Sequence, residues 1–246
     1  MNASRNDRWN GYYYVFGDGE RCVVTFNATA CDPAHQKPSF GRRIIGFSPP
    51  EDVSPEGMPS PAAFARLKAI EDRAAALVSE RGIPAWLVGK QVYRGMRELV
   101  FQVDARGVAA FDAMAAQLEV ELGGTELVPY EGWSFFNDKI APDADARAHI
   151  ANREVLAALK SHGTDLGRPH VIDHTFVGSM SALGAVRRRL LDAGFVESGS
   201  STTHLTLSTT DLLDQDTIDA LTANLRRLAE QSGASYDGWG AAIARS

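Results

Sequence analysis

The chain has 246 residues, of which 44% are hydrophobic and 23% are charged, and its formal net charge is −6 at pH 7. These proportions are ordinary for a globular protein and exclude a collagen-like, coiled-coil or disordered chain. The acidic balance disfavours a protein that holds nucleic acid through a broad basic surface.

The N-terminus and the cysteines indicate the cellular compartment. Residues 1–8 are polar and precede no apolar signal core. No stretch reaches the roughly 18 apolar residues that span a bilayer. Cys22 and Cys31 cannot form a structural zinc site by themselves. We therefore expect a cytoplasmic protein with no membrane partner and with reduced thiols. A disulfide is the alternative, but composition gives it no support.

The first half of the chain predicts a mixed pattern of strands and helices. Residues 9–29 alternate around Gly17-Asp18-Gly19, which is typical of a β-hairpin. Ser60 and Pro61 supply a capping hydroxyl and a proline at the first helical position. In chain order the further elements are a strand over 42–47, a helix over 61–82, strands over 85–93 and 97–104, a helix over 107–122 and a strand over 126–130.

The second half repeats this pattern after a polar segment. Residues 137–146 are small, polar and proline-containing, so we expect the domain boundary there. Ser181 is expected to cap a helix. The predicted helices cover 146–162, 181–191 and 214–231, and the predicted strands cover 169–178, 195–197, 203–209 and 235–239.

Both halves therefore contain a β-α-β-β-α-β order, the pattern of a ferredoxin-like fold. Tyr130-Glu-Gly-Trp133 recurs as Tyr236-Asp-Gly-Trp239, which favours duplication of one module. We predict an α+β protein of two tandem ferredoxin-like domains, over 1–140 and 146–246. The first has an extra N-terminal β-hairpin and the second an extra N-terminal helix.

The strand over 169–178 is apolar on both faces. Ile172 and Phe176 share one face, and Val171 and Val177 share the other. Such a strand is normally buried on both sides. We therefore expect the open sheet faces to pack against the other domain or a partner chain.

No motif in the chain compels catalysis. The sequence lacks a P-loop, a dinucleotide fingerprint and a nucleophile elbow. His170 and His174 are about 13 Å apart on a strand, too far to share a metal ion. His174 and His204 lie on neighbouring strands and pair better, but no third ligand is near. We expect no catalytic residue, cofactor or metal.

Direct RNA binding is not expected either. RNA-recognition strands carry stacking aromatic residues at two alternating positions of their third strand. Met96 and Glu98 occupy those positions here. Neither side chain stacks on a base in that way.

From Ala146 to its end the chain resembles the family called regulator of ribonuclease E activity B (RraB). The residues that carry this resemblance are Asn152-Arg-Glu-Val-Leu-Ala-Ala-Leu159, Asp173-His174-x-Phe176, Gly194-Phe195 and Tyr236-Asp-Gly-Trp-Gly240. The first half resembles a bacterial family of unknown function that occurs fused to such domains. Its marks are Ile70-Glu71-Asp72, Gly89, Gly95-x-Arg97-Glu98 and Gly132-Trp133.

The resemblance implies a non-catalytic, protein-binding regulator. Members of the family bind the extended, basic C-terminal region of ribonuclease E and inhibit RNA processing. The expected partner is therefore ribonuclease E or another degradosome component. The residues that we expect to face this partner are His174, Phe176, His204, Asp237 and Trp239 in the second domain, and Arg97 and Glu98 in the first.

A different class of function stays open beside this one. The chain is alternatively a small-molecule-binding protein or an enzyme with a site between the two domains. Its polar groups would then be Arg97, Glu98, Tyr93 and His174. A buried polar cleft with a shifted glutamate or histidine pKa would favour this alternative.

Overall fold

The computed structural model of the protein describes residues 7–242, and the chain divides into two compact units, Met1–Pro142 and Asp143–Ser246. Each unit combines helices with an antiparallel sheet, of six strands in the first unit and four in the second. The prediction of an α+β protein is confirmed. Among the described residues, no helix is both long and apolar enough to cross a membrane.

Over its described residues, 7–142, the first unit contains six strands and two α-helices. The strands are β1 (Trp9–Val15), β2 (Arg21–Asn27), β3 (Phe40–Phe47), β4 (Ala85–Tyr93), β5 (Met96–Val103) and β6 (Thr125–Tyr130). The helices are α1 (Pro61–Glu80) and α2 (Val108–Leu122). The spatial order of the strands is β1-β2-β4-β5-β3-β6, so the N-terminal hairpin extends the sheet at the β4 side.

Helices α1 and α2 cover one face of this sheet. Ser60 begins α1 as predicted, because its Oγ accepts a hydrogen bond from Ala63 N at 3.2 Å and Pro61 follows at the first helical position. An apolar cluster lies below the helices. Its buried members include Ile44, Leu99, Phe101 and Val103 from the strands, and Leu67, Ile70, Phe111 and Met114 from the helices.

The other face of the first sheet is covered by residues 133–140, which follow β6. Phe136 and Ile140 are completely buried, and Tyr12 Oη donates a hydrogen bond to the Ile140 carbonyl at 3.3 Å. Gly89 makes room for this segment, since a Cβ there would lie 2.2 Å from Ile140 Cγ2. The polar segment 137–146, where the sequence predicts a domain boundary, therefore begins with residues that belong to the core of the first unit, which ends at Pro142.

The part of the second unit that the structure describes, residues 143–242, contains three helices and four strands. The helices are α3 (Ala144–Ser161), α4 (Met180–Asp192) and α5 (Gln215–Gln231). The strands are β7 (Pro169–Val177), β8 (Val196–Ser200), β9 (His204–Leu212) and β10 (Ser235–Ala241). Their spatial order is β10-β7-β9-β8.

Two apolar clusters hold the helices of the second unit on its sheet. One contains Phe176, Leu205 and Leu207 under α4 and α5, and the other joins Ile172 to Leu156 of α3. Asp143 caps α3 by accepting a hydrogen bond from Ala146 N at 2.8 Å.

The N-cap of α4 differs from the prediction. Ser179 Oγ, not Ser181, accepts the hydrogen bond from Ala182 N at 3.3 Å. The helix therefore begins one residue after Ser179, as capping geometry requires.

The two copies of the Tyr-x-Gly-Trp motif do not occupy equivalent positions. Tyr130 pairs with Gly41, on the face of its sheet away from α1 and α2. Tyr236 pairs with Phe176, on the helix-covered face, and the two rings lie 5.3 Å apart. The motif therefore does not align the two units in space. The four shared strands nevertheless have the same order, because β6-β3-β5-β4 matches β10-β7-β9-β8.

Strand β7 is covered on one face only within its unit. Ile172 and Phe176 are fully buried under the helices, whereas Val171 on the other face is 58% exposed. Strand β7 is therefore buried within its unit on one side only, although it carries apolar residues on both faces. That a further domain or chain covers this face stays a prediction.

Candidate functional site

The uncovered face of the second sheet is the candidate site, and we call it the outer sheet face. Successive residues of a strand point to opposite faces, so alternate positions of β7, β8 and β9 build this surface. Register places the residues of β7 beside those of β9, with Asp173 opposite Ser208 and Val171 opposite Thr210. The side chains of this face are Val171, Asp173, Thr175, Val177, Val196, Ser198, His204, Thr206, Ser208, Thr210 and Leu212.

An organised carboxylate lies in this face. Ser198 Oγ donates a hydrogen bond to Asp173 Oδ1 at 3.2 Å, and Ser208 Oγ donates a second to the same oxygen. Asp173 itself is exposed. Two hydroxyl donors thus fix the carboxylate while its other oxygen is open to a ligand. Hydrogen bonds to a carboxylate are stronger when the donor is a cation such as lysine or arginine.

Exposed aliphatic side chains surround this polar centre. Val196 is 66% exposed and lies in register with Ser208, and Leu212 is 41% exposed at the end of β9. Together with Val171 they give an apolar margin to a face whose other residues are mainly serine and threonine. This open surface lacks the enclosure of a catalytic pocket.

His174, a predicted partner-facing residue, lies in the core. It is fully buried on the helix-covered face, its Nδ1 shares a hydrogen bond of 2.9 Å with Tyr236 Oη, and Phe195 lies against its ring. No described residue gives its buried Nε2 a hydrogen-bond partner. Burial lowers the pKa of His174 to about 4, and the charge of Asp173 opposes this only in part. His174 is therefore neutral at pH 7 and has no direct access to a partner.

Phe176 is corrected in the same way, and the expected pairing of His174 with His204 is not observed. Phe176 is fully buried below α4 and α5. His204 is exposed and pairs in register with Val177, whereas His174 pairs with Leu207, so the two histidines lie on opposite faces. Within residues 7–242, no cluster of three histidine, cysteine or acidic side chains could hold a metal ion.

Asp237 and Trp239 differ in exposure. Asp237 is exposed at the bulge of β10 between Tyr236 and Gly238. Trp239 packs against the α3 cluster, and its Nε1 donates to Asn152 Oδ1 at 2.8 Å. The tryptophan of this motif therefore fastens β10 to α3. Of the five residues predicted in the second unit, Asp237 and His204 have exposed side chains.

Asn152 connects three elements of the second unit. Besides accepting from Trp239, its Nδ2 donates to Asp219 Oδ1 at 2.7 Å and to Thr222 Oγ1 at 2.9 Å. It is a buried amide whose three hydrogen bonds all go to described side chains. This explains its presence among the residues that carry the resemblance, because β10, α3 and α5 meet at one amide.

Arg97 and Glu98 are both buried in the first unit and point to opposite faces of β5. Arg97 lies on the helix side and donates from Nε to Glu71 Oε2 at 3.0 Å. Glu98 accepts hydrogen bonds from Tyr93 Oη at 2.8 Å and from Gln91 Nε2 at 2.6 Å, and Arg43 Nη1 lies 3.2 Å away. Burial and the Glu98 carboxylate raise the pKa of Tyr93 above its usual range.

His174, Phe176, Arg97 and Glu98 are thus buried as the chain stands, whereas His204 and Asp237 are exposed. Partner binding itself stays a prediction for all seven residues. Sequence reasoning missed Asp173, although it belongs to the Asp-His-x-Phe segment. Strand alternation contains the missing signal, since a residue between Ile172 and His174 points away from the core face that they share.

Comparison with known proteins gives one family for part of the chain. Residues 149–241 match the family described as regulator of ribonuclease activity B, so this region resembles that family. The matched region lies within the second unit, Asp143–Ser246. The resemblance expected for the first half receives no support from this match.

The other comparisons add little. A search of curated proteins finds no match. Among solved structures, one match is titled "Crystal Structure of an Unknown Protein from Galdieria sulphuraria". It is 11% identical, covers 84% of this chain and 99% of that chain, and has a TM-score of 0.22. A likeness at this score carries no argument.

Proposed function

We propose that the chain is a non-catalytic regulator of ribonuclease activity that binds its partner protein through the second unit. The match of residues 149–241 to the family of regulators of ribonuclease activity carries this proposal. The matched segment contains the whole of β7, β8 and β9, the strands that build the outer sheet face. The binding surface and the family assignment therefore fall on one part of the chain.

The outer sheet face is the contact surface in this proposal. Its aliphatic residues would be buried against the partner, and Asp173 would accept a lysine or arginine side chain. An exposed carboxylate held by two hydroxyl groups suits a basic segment, because the acceptor geometry is fixed before binding. His204, which is exposed on this face, and Asp237, which is exposed in β10, are the sequence-predicted residues available to the same partner.

The proposal extends to the identity of the partner, the fold of the two units and the cellular compartment. We propose ribonuclease E as the partner, through its C-terminal region, and two ferredoxin-like modules as the architecture. The common strand order of the two units supports the second point. A partner that processes RNA places the protein in the cytoplasm, and the proposed location depends on the identity of that partner alone.

Binding and inhibition measured with purified ribonuclease E test the proposal. The assay follows cleavage of a labelled RNA by full-length ribonuclease E and by a form without its C-terminal region, with and without the chain. We expect binding and inhibition of the full-length enzyme only. The substitution Asp173→Lys should weaken binding by about tenfold or more, because the new lysine would face a basic side chain of the partner and repel it.

A matched control comes from the first unit. Val120→Ser changes an aliphatic residue that is 87% exposed on α2, outside the proposed contact. This variant should bind as the parent chain does. Absence of both binding and inhibition at about 10 μM would contradict the proposal. An equal loss of binding in Asp173→Lys and Val120→Ser would contradict it as well.

A further inference from the structure

A second exposed apolar surface lies in the first unit, and we call it the Trp9–Phe64 patch. Its members are Trp9, Val15, Val23 and Phe64, which are 39%, 54%, 40% and 41% exposed. Register places the three strand residues on the helix side of the β1–β2 hairpin, and Phe64 lies on α1. Exposed apolar residues scattered singly need no explanation, but grouped ones mark an interaction site.

Polar contacts below this patch link the Trp9 ring to the Phe64 ring. Lys90 Nζ lies 4.6 Å from the centroid of the Trp9 ring and 3.0 Å from Glu71 Oε1. Arg97 donates to the other oxygen of Glu71, and its Cζ lies 5.1 Å from the centroid of the Phe64 ring. A single carboxylate therefore links the two cations that underlie the aromatic rings.

This arrangement has a surplus of positive charge. The side chains of Glu71 and Arg97 are each 10% exposed and that of Lys90 is 20% exposed, so two cations share one carboxylate away from bulk water. Lys68 also approaches Glu71, at 3.9 Å, but pairs with Asp72. Among the described residues, no acceptor contacts Arg97 Nη1. An additional anion would therefore find both charge and an available donor.

Glu71 keeps its charge in this setting. Burial raises its pKa, but hydrogen bonds and charges from Arg97 and Lys90 outweigh burial and hold the pKa below its usual value. The carboxylate is thus ionised at neutral pH and cancels one cation. The surplus is a single positive charge between two aromatic rings.

We propose that the Trp9–Phe64 patch binds an acidic, amphipathic segment of a partner protein. A carboxylate of the segment contacts Lys90, the more exposed of the two cations, and the apolar side chains of the segment cover Trp9, Val23 and Phe64. A protein segment fits better than a small molecule, which normally buries most of its surface in an enclosed pocket. A nucleic acid fits poorly, because the chain has a net charge of −6 and offers one surplus cation here.

The inference goes beyond the proposed function, because the family match does not extend to the first unit. It gives that unit a binding role of its own. Loss of binding at this patch would leave the ribonuclease assay of the second unit unchanged, so failure of either idea can be recognised separately.

Two synthetic peptides of about 15 residues test the inference on the full chain. Both carry leucine and phenylalanine at helical spacing, and their polar positions are glutamate in one and lysine in the other. The readouts are the dissociation constant by fluorescence anisotropy and the NMR signal of the Trp9 indole N–H, assigned with Trp9→Phe. We expect the glutamate peptide alone to bind and to shift the Trp9 signal.

Two substitutions locate the binding, and a third is the control. Phe64→Ser removes an exposed ring, and Lys90→Gln removes one cation while the Glu71–Arg97 pair stays intact. Each substitution should raise the dissociation constant of the glutamate peptide by about tenfold. Lys90→Gln should also reduce the dependence of this binding on salt concentration. Val120→Ser, an equally simple change at an exposed position, should have no effect. Equal binding of the lysine peptide, full binding by both variants, or no binding at about 1 mM would each overturn the inference.

Discussion

Protonation of His174 should destabilise the second unit in mild acid. Burial lowers the pKa of His174 to about 4, whereas an unfolded histidine titrates at about 6.5. Between these values the unfolded state binds the proton and the folded state does not. The stability of the neutral form is therefore complete above about pH 6.5 and is lost as the pH falls towards 4.

The size of the effect follows from the difference between the two pKa values. At about 1.4 kcal/mol per pKa unit, the full loss is about 3 kcal/mol, and about 2 kcal/mol is lost by about pH 5. His174 is completely inaccessible to solvent, so solvent screening does not reduce this value. The charge of Asp173 favours protonation, but it does not outweigh burial.

Hydrogen exchange of β7 and β9, followed by mass spectrometry at about pH 7 and pH 5, measures this loss of stability. His174→Gln cannot titrate, so its strands should lose about 2 kcal/mol less than those of the parent chain over the same interval. His204→Gln is the matched control, because it removes an exposed histidine from the same sheet. Equal pH dependence in the parent chain and His174→Gln would refute the reasoning.

Three further substitutions test the packing, each by chemical denaturation. Phe176→Ala removes a fully buried ring and should cost about 3–5 kcal/mol of unfolding free energy; a loss below about 1 kcal/mol would contradict the assigned core position. Glu98→Ala leaves the Arg43 charge without its buried partner and should also cost about 3–5 kcal/mol, whereas a neutral result would show that water replaces the carboxylate. Gly89→Ala places a methyl group 2.2 Å from Ile140 Cγ2 and should cost about 1–3 kcal/mol, unless residues 133–140 can move away freely.

Local signals in the sequence predicted much of the fold. The capping hydroxyl of Ser60 and the ring of Pro61 act within one helical turn, so the start of α1 could be read directly. Alternation along β7 placed Ile172 and Phe176 on one face, although it did not show that only this face is buried. In both cases the determining contact lies within a few residues.

Long-range contacts explain what could not be predicted. The small, polar residues of segment 137–146 predict a domain boundary, but they do not show that Ile140 packs against Gly89, far away in the chain. Nothing near position 140 indicates the space that this glycine provides. The Tyr-x-Gly-Trp motif wrongly suggested that Tyr130 and Tyr236 occupy equivalent positions. Strand register decides which face of the sheet each tyrosine occupies, and sequence spacing does not show it.

The candidate site was predicted by resemblance more than by geometry. A histidine in a short motif is a natural choice for a functional residue, but alternation places His174 on the core face with Phe176. The same alternation exposes Asp173, whose hydrogen bonds to Ser198 and Ser208 depend on the pairing of three strands. A sequence alone does not show which serines meet which carboxylate.

Hydroxyl-radical footprinting of the chain, with and without purified ribonuclease E, tests whether the outer sheet face contacts this partner. This method measures the solvent access of individual side chains, and the exposed aliphatic residues Val171, Val196 and Leu212 report on the outer sheet face. We expect all three to become protected in the complex, while Val120 on α2 does not change. Complex formation without protection of the three residues, or no complex at all, would contradict this expectation.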